Sequence, residues 1–229
     1  MLAERILKQA MIIKSQLSEE QNKVCDMFLK ESITKHDGFP LEIALASLIL
    51  EAKEEIAKNS AKQDGRRALY SLAKDIVKTA KINYPRLTGS FTQERYNKSD
   101  NHQYFMDGYR LLRVKNHFDI APIDEKQGEV PNVQNITGWN VQCMDTLADV
   151  PCVADLKAYI QEKKAKGETK NGSVAYDFGE KYCYINAEWL LGAIKAFPNG
   201  KVYSQKSSVF VVYDEKADEG IVIVGMRRD

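Results

Sequence analysis

The most informative stretch of the chain runs Tyr182-Cys-Tyr-Ile-Asn-Ala-Glu-Trp-Leu-Leu-Gly-Ala-Ile-Lys-Ala-Phe-Pro-Asn-Gly200. Asn186 is a favourable N-cap residue, and apolar side chains recur every three or four residues after it, which predicts a helix over 187–197. The sequence Pro198-Asn199-Gly200 then ends this helix. Strand-like runs follow as far as Arg227, so the end of the chain predicts one helix followed by strands.

A second helix followed by strands occurs earlier in the chain. Residues 67–81 predict a helix, because their apolar positions recur every three and four residues, and Pro85 prevents its extension. Asp107-Gly108 is a turn signal between two strand-like runs. The remaining expectations are strands over 87–92, 103–106, 109–115, 174–178, 181–185, 201–204, 209–213 and 220–226, and a helix over 154–166.

The first 64 residues predict a separate helical region. Ser18 and Gln21 have the spacing of a capping box, and Pro40 suits the first position of a long apolar helix. Polar residues near Asp64 break the helical pattern. We therefore expect an N-terminal helical region over 1–64 and an α+β domain over 65–229.

The composition is that of a soluble globular protein, with 44% hydrophobic and 28% charged residues. The chain has no apolar run of about 18 residues and no signal-peptide pattern, which predicts a cytoplasmic protein without a membrane partner. The four cysteines show no C-x-x-C pair. They are therefore expected to be buried, reduced thiols.

Positive charge is concentrated in the middle of the chain. Residues 65–123 hold 11 basic and 5 acidic side chains, a net charge of +6. The basic residues that share the solvent side of the helix over 67–81 or precede it are Arg66, Arg67, Lys74, Lys78 and Lys81. This pattern predicts contacts with the phosphates of duplex DNA. Because Asp75 interrupts it, an ordinary solvated helix face is the alternative.

Several short motifs resemble a known family. The segments Ile185-Asn186-Ala187-Glu188-Trp189-Leu190-Leu191, Asp107-Gly108-Tyr109-Arg110-Leu111 and Val224-Gly225-Met226-Arg227 are similar to those of bacterial DNA polymerase sliding clamps (the beta clamp) and of short clamp-like phage proteins. The resemblance implies an α+β clamp-like domain, with two helices packed on antiparallel sheets. A clamp chain carries three such domains, so a ring built from this chain requires a homo-oligomer.

The resemblance also implies a peptide-binding pocket. In the family, two strand segments border a hydrophobic pocket that captures short peptides of replication proteins. The matching residues are Gly108, Tyr109, Arg110, Leu111, Val224, Met226 and Arg227. In clamps these segments come from neighbouring domains, so here we expect them to meet only through a partner subunit or a changed geometry. Filling of the core by alternate strand residues is the alternative interpretation.

Catalytic signals are weak. The three histidines, His36, His102 and His117, lack metal-binding spacing, and neither Cys152 nor Cys183 has a histidine nearby in the sequence to activate it. We therefore expect no catalytic residues, metal or cofactor. The leading hypothesis is a non-catalytic protein associated with DNA replication. A protein–protein adaptor or decoy and an enzyme without recognisable motifs are the alternatives.

Overall fold

The computed structural model describes residues 2–31, 33, 38–124, 126, 129–134, 136, 141–170, 172–205 and 208–228. The chain divides into two compact units, Met1–Arg67 and Ala68–Asp229. His36 lies outside the described residues. Across the described ranges, every helix is too short or too polar to cross a lipid bilayer.

The described part of the first unit contains α1 (Leu2–Ser15), α2 (Glu19–Glu31) and α3 (Pro40–Gln63). The capping box at the start of α2 is confirmed. The backbone N–H of Gln21 donates to Ser18 Oγ, and the backbone N–H of Ser18 donates to Gln21 Oε1, each at 3.2 Å. The three helices enclose an apolar core of Ala10, Cys25, Phe28, Ile43, Leu45, Ala46 and Ile49.

The helices of the second unit follow the apolar periodicity of the sequence. They are α4 (Arg67–Asn83), α5 (Val153–Ala165) and α6 (Ala187–Ala196). The cap of α6 is confirmed, since Asn186 Oδ1 accepts the backbone N–H groups of Glu188 and Trp189 at 3.0 and 3.2 Å. This cap satisfies donors that the first turn of a helix leaves without partners.

Eight strands lie in the described part of the second unit. They are β1 (Gln103–Met106), β2 (Arg110–Val114), β3 (Asp145–Thr146), β4 (Ala175–Tyr176), β5 (Ile185–Asn186), β6 (Lys201–Gln205), β7 (Val209–Asp214) and β8 (Glu219–Val224). Six of them form an antiparallel sheet in the order β1-β2-β8-β7-β6-β3, and β4 pairs with β5. The antiparallel α+β class is therefore confirmed.

The strand predicted over 87–92 is wrong. Pro85–Leu87 forms a 3-10 turn, and only isolated bridges follow it. The cause is a close backbone approach at Gly89, where a Cβ atom would lie 2.7 Å from the carbonyl oxygen of Ala121. Gly89 also has a φ of +136°, which side-chain-bearing residues rarely adopt. The segment therefore pairs with β1 only at Phe91, whose backbone exchanges two hydrogen bonds with Tyr104, and its Phe91 side chain packs on one face of the sheet.

The sheet has an apolar core on each face. On one face, Phe105, Leu112, Phe210, Ile221 and Ile223 pack against α4, α5 and α6. On the other face, the strands pack against loop residues: Phe91, Ile123 and Val133 lie over Tyr104, Leu111, Val211 and Val222. Three helices contribute to the first core, whereas the resemblance implies two. Side-chain alternation along the strands produces both cores.

The cysteine prediction is only partly correct. All four thiols are unpaired, but Cys143 and Cys152 are exposed, and only Cys25 and Cys183 are buried. Cys152 is exposed because it occupies the N-cap of α5, where its sulfur accepts the backbone N–H of Asp155 at 3.4 Å.

Candidate nucleic-acid interface

Three lysines form a row on α4, which we call the lysine row: Lys74, Lys78 and Lys81. Lys78 and Lys81 are exposed, and Lys74 is half-buried. Their spacing of four and three residues places them along one side of the helix. Across the described part of the chain, no carboxylate forms an ion pair with any of them. The row therefore presents three uncompensated positive charges.

The two arginines of the predicted basic set belong to the first unit. The backbone N–H of Arg66 donates to the carbonyl oxygen of Ala61 at 2.7 Å, and Arg67 is the first residue of α4. Of the five predicted basic residues, only the three of the lysine row therefore belong to the second unit.

Arg110 forms a buried network beside α4. Its Nε lies 2.8 Å from Asp107 Oδ2, and a terminal nitrogen lies 2.6 Å from the same oxygen. The other terminal nitrogen donates to Asp75 Oδ2 at 2.7 Å, and Thr79 Oγ1 accepts a further bond at 3.1 Å. The arginine side chain is 1% exposed and that of Asp107 is fully buried. These bonds join the β1–β2 turn to α4.

Two of the predicted peptide-binding residues, Arg110 and Leu111, have their side chains turned to internal contacts. The Arg110 side chain is occupied by its internal partners, and its guanidinium also lies 4.9 Å from the ring centroid of Trp189. Leu111 is buried in the core on the loop-covered face of the sheet. Neither side chain presents a substantial exposed surface to a peptide. The network also engages Asp75, the acidic residue that interrupts the lysine row.

Three aromatic side chains meet next to this network, and we call them the aromatic group: Tyr84, Tyr109 and Trp189. The rings of Tyr84 and Tyr109 have centroids 6.1 Å apart and an interplanar angle of 66°. The Tyr109 and Trp189 centroids are also 6.1 Å apart. Tyr84 is 36% exposed and Tyr109 is 43% exposed. The neighbouring Tyr109 phenol raises the pKa of Tyr84.

Gly108 allows the rings to approach. Its φ is +88°, and a Cβ atom at this position would lie 2.4 Å from Cε2 of the Tyr84 ring. Sequence reasoning predicted Gly108 only as part of the turn and the peptide pocket. It missed Tyr84, because a tyrosine between a helix and Pro85 has no distinctive local pattern.

The two predicted peptide-binding segments meet within one sheet. Strands β2 and β8 are neighbours, and the backbone N–H of Val224 donates to the carbonyl oxygen of Tyr109 at 2.9 Å. Val224 is 41% exposed. Of the two alternatives, a partner subunit or a changed geometry, the second therefore applies, because the two segments meet within one chain. The physical reason is the strand order, which places the last strand beside β2.

The remaining pocket residues lie after β8. The backbone groups of Met226 and Tyr184 exchange two hydrogen bonds, of 2.7 and 3.0 Å. Arg227 is exposed, and its carbonyl oxygen accepts a bond from Lys170. Between β8 and this bridge, Gly225 packs on Cys183, where an added Cβ atom would lie 2.0 Å from the sulfur.

A polar cluster that sequence reasoning missed surrounds His102. Its Nδ1 lies 2.8 Å from Asp100 Oδ1, and its Nε2 lies 3.1 Å from Asp218 Oδ2. The cluster borders a cavity of about 330 Å³. The short spacing between Asp100 and His102 is visible in the sequence. Asp218, in contrast, lies far away in the chain, so no local signal could have found it.

The side-chain oxygen and nitrogen atoms of this cluster are already hydrogen-bonded within the protein. The Asp100 carboxylate accepts bonds from Tyr104 Oη, Gln134 Nε2 and both the backbone N–H and the ring of His102. Burial raises the pKa of Asp100, but these hydrogen bonds outweigh burial and hold the pKa below its usual value. Burial and the bond to Asp100 raise the pKa of Tyr104. Such a network favours a structural role.

Comparison with protein-family models, with curated proteins and with solved structures finds no match for this chain. Within the described ranges, no group of three or more His, Cys, Asp or Glu side chains is arranged to hold a metal ion. Functional inference therefore rests on the geometry of the lysine row, the aromatic group and the sheet beside them.

Proposed function

We propose that the second unit is a non-catalytic DNA-binding domain that contacts the phosphates of duplex DNA through the lysine row, in association with DNA replication. The observation that carries the proposal is the absence, in the described chain, of carboxylate partners for Lys74, Lys78 and Lys81. Phosphate contacts of lysine release condensed counterions and do not depend on the base sequence. The motifs that resemble sliding clamps support the same function.

Three lysines at and just after the C-terminal end of α5 provide an internal comparison. Lys163, Lys164 and Lys166 lie near Glu168, Glu188 and Glu162, respectively, and each forms an ion pair with that glutamate. Their charges are compensated within the protein. On α4 the nearest acidic residue in the sequence, Asp75, is instead bound by Arg110. The lysine row is therefore the better site for an external polyanion.

Fluorescence anisotropy with a labelled duplex, measured over a range of salt concentrations, tests this function. Three phosphate contacts predict a slope of about −2.7 in a plot of log K against log salt concentration. The double variant Lys78→Gln/Lys81→Gln should reduce the magnitude of that slope by about 1.8. The matched control Lys157→Gln/Lys216→Gln removes two exposed lysines elsewhere and should leave the slope unchanged. Equal slopes for the two double variants would contradict the proposal.

We propose a clamp-like ring around DNA as one form of this duplex binding. A single clamp-like domain in each chain would encircle DNA only as a homo-oligomer. The solution mass at working concentration, measured with and without duplex DNA, tests this form. A monomer under both conditions removes the ring but leaves the phosphate contacts of the lysine row intact.

A peptide-binding adaptor without DNA contact is the second candidate. The specific observation in its favour is that Tyr109, directly before β2, lies beside Val224 at the end of β8, each more than 40% exposed. Amphipathic tyrosines beside apolar side chains suit peptide recognition. A protein that ignores duplex DNA at low salt would favour this candidate over the first.

A further inference from the structure

We infer that the aromatic group stacks on unpaired bases, so that the second unit binds single-stranded DNA more tightly than duplex DNA of the same length. The inference rests on the proposed phosphate contacts of the lysine row and extends that site to a second class of contact. Its basis is the position of two exposed rings at the same end of α4 as Lys78 and Lys81.

The course of the chain brings the lysine row and the aromatic group together. The backbone N–H of Tyr84 donates to the carbonyl oxygen of Ala80 at 2.7 Å, so Tyr84 continues the hydrogen-bond pattern of α4. It therefore lies about 4.5 Å beyond Lys81 along the helix axis. Arg110 bonds to Thr79, the neighbour of Lys78, and so holds the β1–β2 turn and Tyr109 against the same helical turns.

The rings are exposed and yet fixed in position. The rings of Tyr84 and Tyr109 pack edge to face, and Gly108 packs under the Tyr84 ring. Trp189 supports Tyr109 from α6, while Arg110 lies against Trp189 itself. Aromatic side chains that are already ordered lose little conformational freedom when a ligand binds. More than a third of each tyrosine is open to solvent, so a planar ligand can reach both rings.

The combination of charges and rings selects the ligand. A strand of DNA alternates phosphates with planar bases, and proteins that bind it combine basic side chains with aromatic stacking surfaces. In a duplex the faces of the bases are hidden within the stack, so a duplex engages only the lysines. An unpaired strand engages both groups. Each base that stacks on a ring is expected to strengthen binding by about fivefold or more.

Three probes of equal length test the inference in the full-length protein. They are fluorescein-labelled oligothymidylate of about 15 nucleotides, a duplex of the same length, and an oligomer of abasic sites that keeps the phosphates and lacks the bases. We expect oligothymidylate to bind at least about fivefold more tightly than the abasic oligomer. We also expect it to bind more tightly than the duplex.

Substitutions at Tyr109 assign the effect to the rings. Tyr109→Leu keeps an apolar side chain but removes the aromatic face, and it should weaken oligothymidylate binding about fivefold while duplex and abasic binding stay unchanged. Tyr109→Phe keeps the ring and should bind oligothymidylate within about twofold of the wild type. Thermal unfolding of each variant shows whether the fold is retained.

The outcomes separate this inference from the proposed function. Lys78→Gln/Lys81→Gln should weaken all three probes, because each carries phosphates. If these lysine substitutions weaken duplex binding while Tyr109→Leu affects no probe, the inference is overturned and the proposed function stands. Equal affinities for oligothymidylate and the abasic oligomer also overturn it. If no probe binds at low salt, both proposals fail, and the aromatic group is assigned to a protein partner.

Discussion

Replacing Arg110 by methionine is expected to destabilise the second unit strongly. Methionine retains an apolar stem of similar length but removes every hydrogen bond that the guanidinium makes. Asp107 then keeps its charge in a fully buried position and loses both of its contacts with the arginine. The substitution also disconnects the β1–β2 turn from Asp75 and Thr79 on α4.

The size of the effect follows from the surroundings of the two carboxylates. Removing one partner of a buried ion pair typically costs about 3–5 kcal/mol. Asp107 keeps two backbone donors, the N–H groups of Tyr109 and residue 110, at 3.0 and 2.8 Å. Asp75 is 57% exposed and can be solvated by water. We therefore expect a loss near the lower limit, about 3 kcal/mol.

Urea unfolding followed by tryptophan fluorescence measures this loss. Both tryptophans of the sequence fall between residues 68 and 229, the range of the second unit, so the signal reports on that unit. With a denaturant slope of about 2 kcal/mol per M, the urea midpoint should fall by about 1.5 M. The double variant Arg110→Met/Asp107→Asn removes both charges and should be more stable than Arg110→Met alone.

Two results would refute this reasoning. A midpoint for Arg110→Met within about 0.3 M of the wild type would show that the ion pair contributes little net stability. A double variant that is no more stable than the single variant would show that the isolated Asp107 charge is not the source of the loss.

The other two predictions concern packing and acid sensitivity. Gly225→Ala should destabilise the second unit by about 2 kcal/mol, because its Cβ atom would lie 2.0 Å from Cys183 Sγ. In a Cys183→Ala background, Gly225→Ala should lower the free energy of unfolding by less. An equal loss in both backgrounds, measured by urea unfolding, would argue against the contact between residue 225 and the Cys183 sulfur. Because hydrogen bonds from Tyr104 and His102 help to hold the pKa of Asp100 below 3.8, its charged form stabilises the fold above that pH. The stability advantage of the wild type over Asp100→Asn should shrink as the pH falls below about 4, and a constant difference would exclude this role.

Local signals predicted the helices well. The periodicity of residues 67–81 identified α4, which runs only two residues further, and Asn186 marked the start of α6 correctly. These signals work because a helix is stabilised by contacts within four residues of each position. The strand prediction over 87–92 failed because the approach of Ala121 to Gly89 involves a distant part of the chain.

The candidate site was predicted only in part. The lysine row was visible in the sequence, since its members lie on one helix. The burial of Arg110 was not visible, because its partners on α4 and α6 lie far from it in the chain. The same limit applied to His102, whose contact with Asp218 forms only when β1 lies near the turn between β7 and β8.

By itself, the sequence determined the helical first unit, the cap and apolar stripe of α6, and the approximate positions of β1, β2, β6, β7 and β8. Each of these depends on near neighbours in the chain. Only the tertiary structure decided that β8 lies beside β2, which joins Tyr109 to Val224 within one sheet. It also gathered Tyr84, Tyr109 and Trp189 at the end of the lysine row, because antiparallel pairing and helix packing join residues that sequence spacing cannot relate.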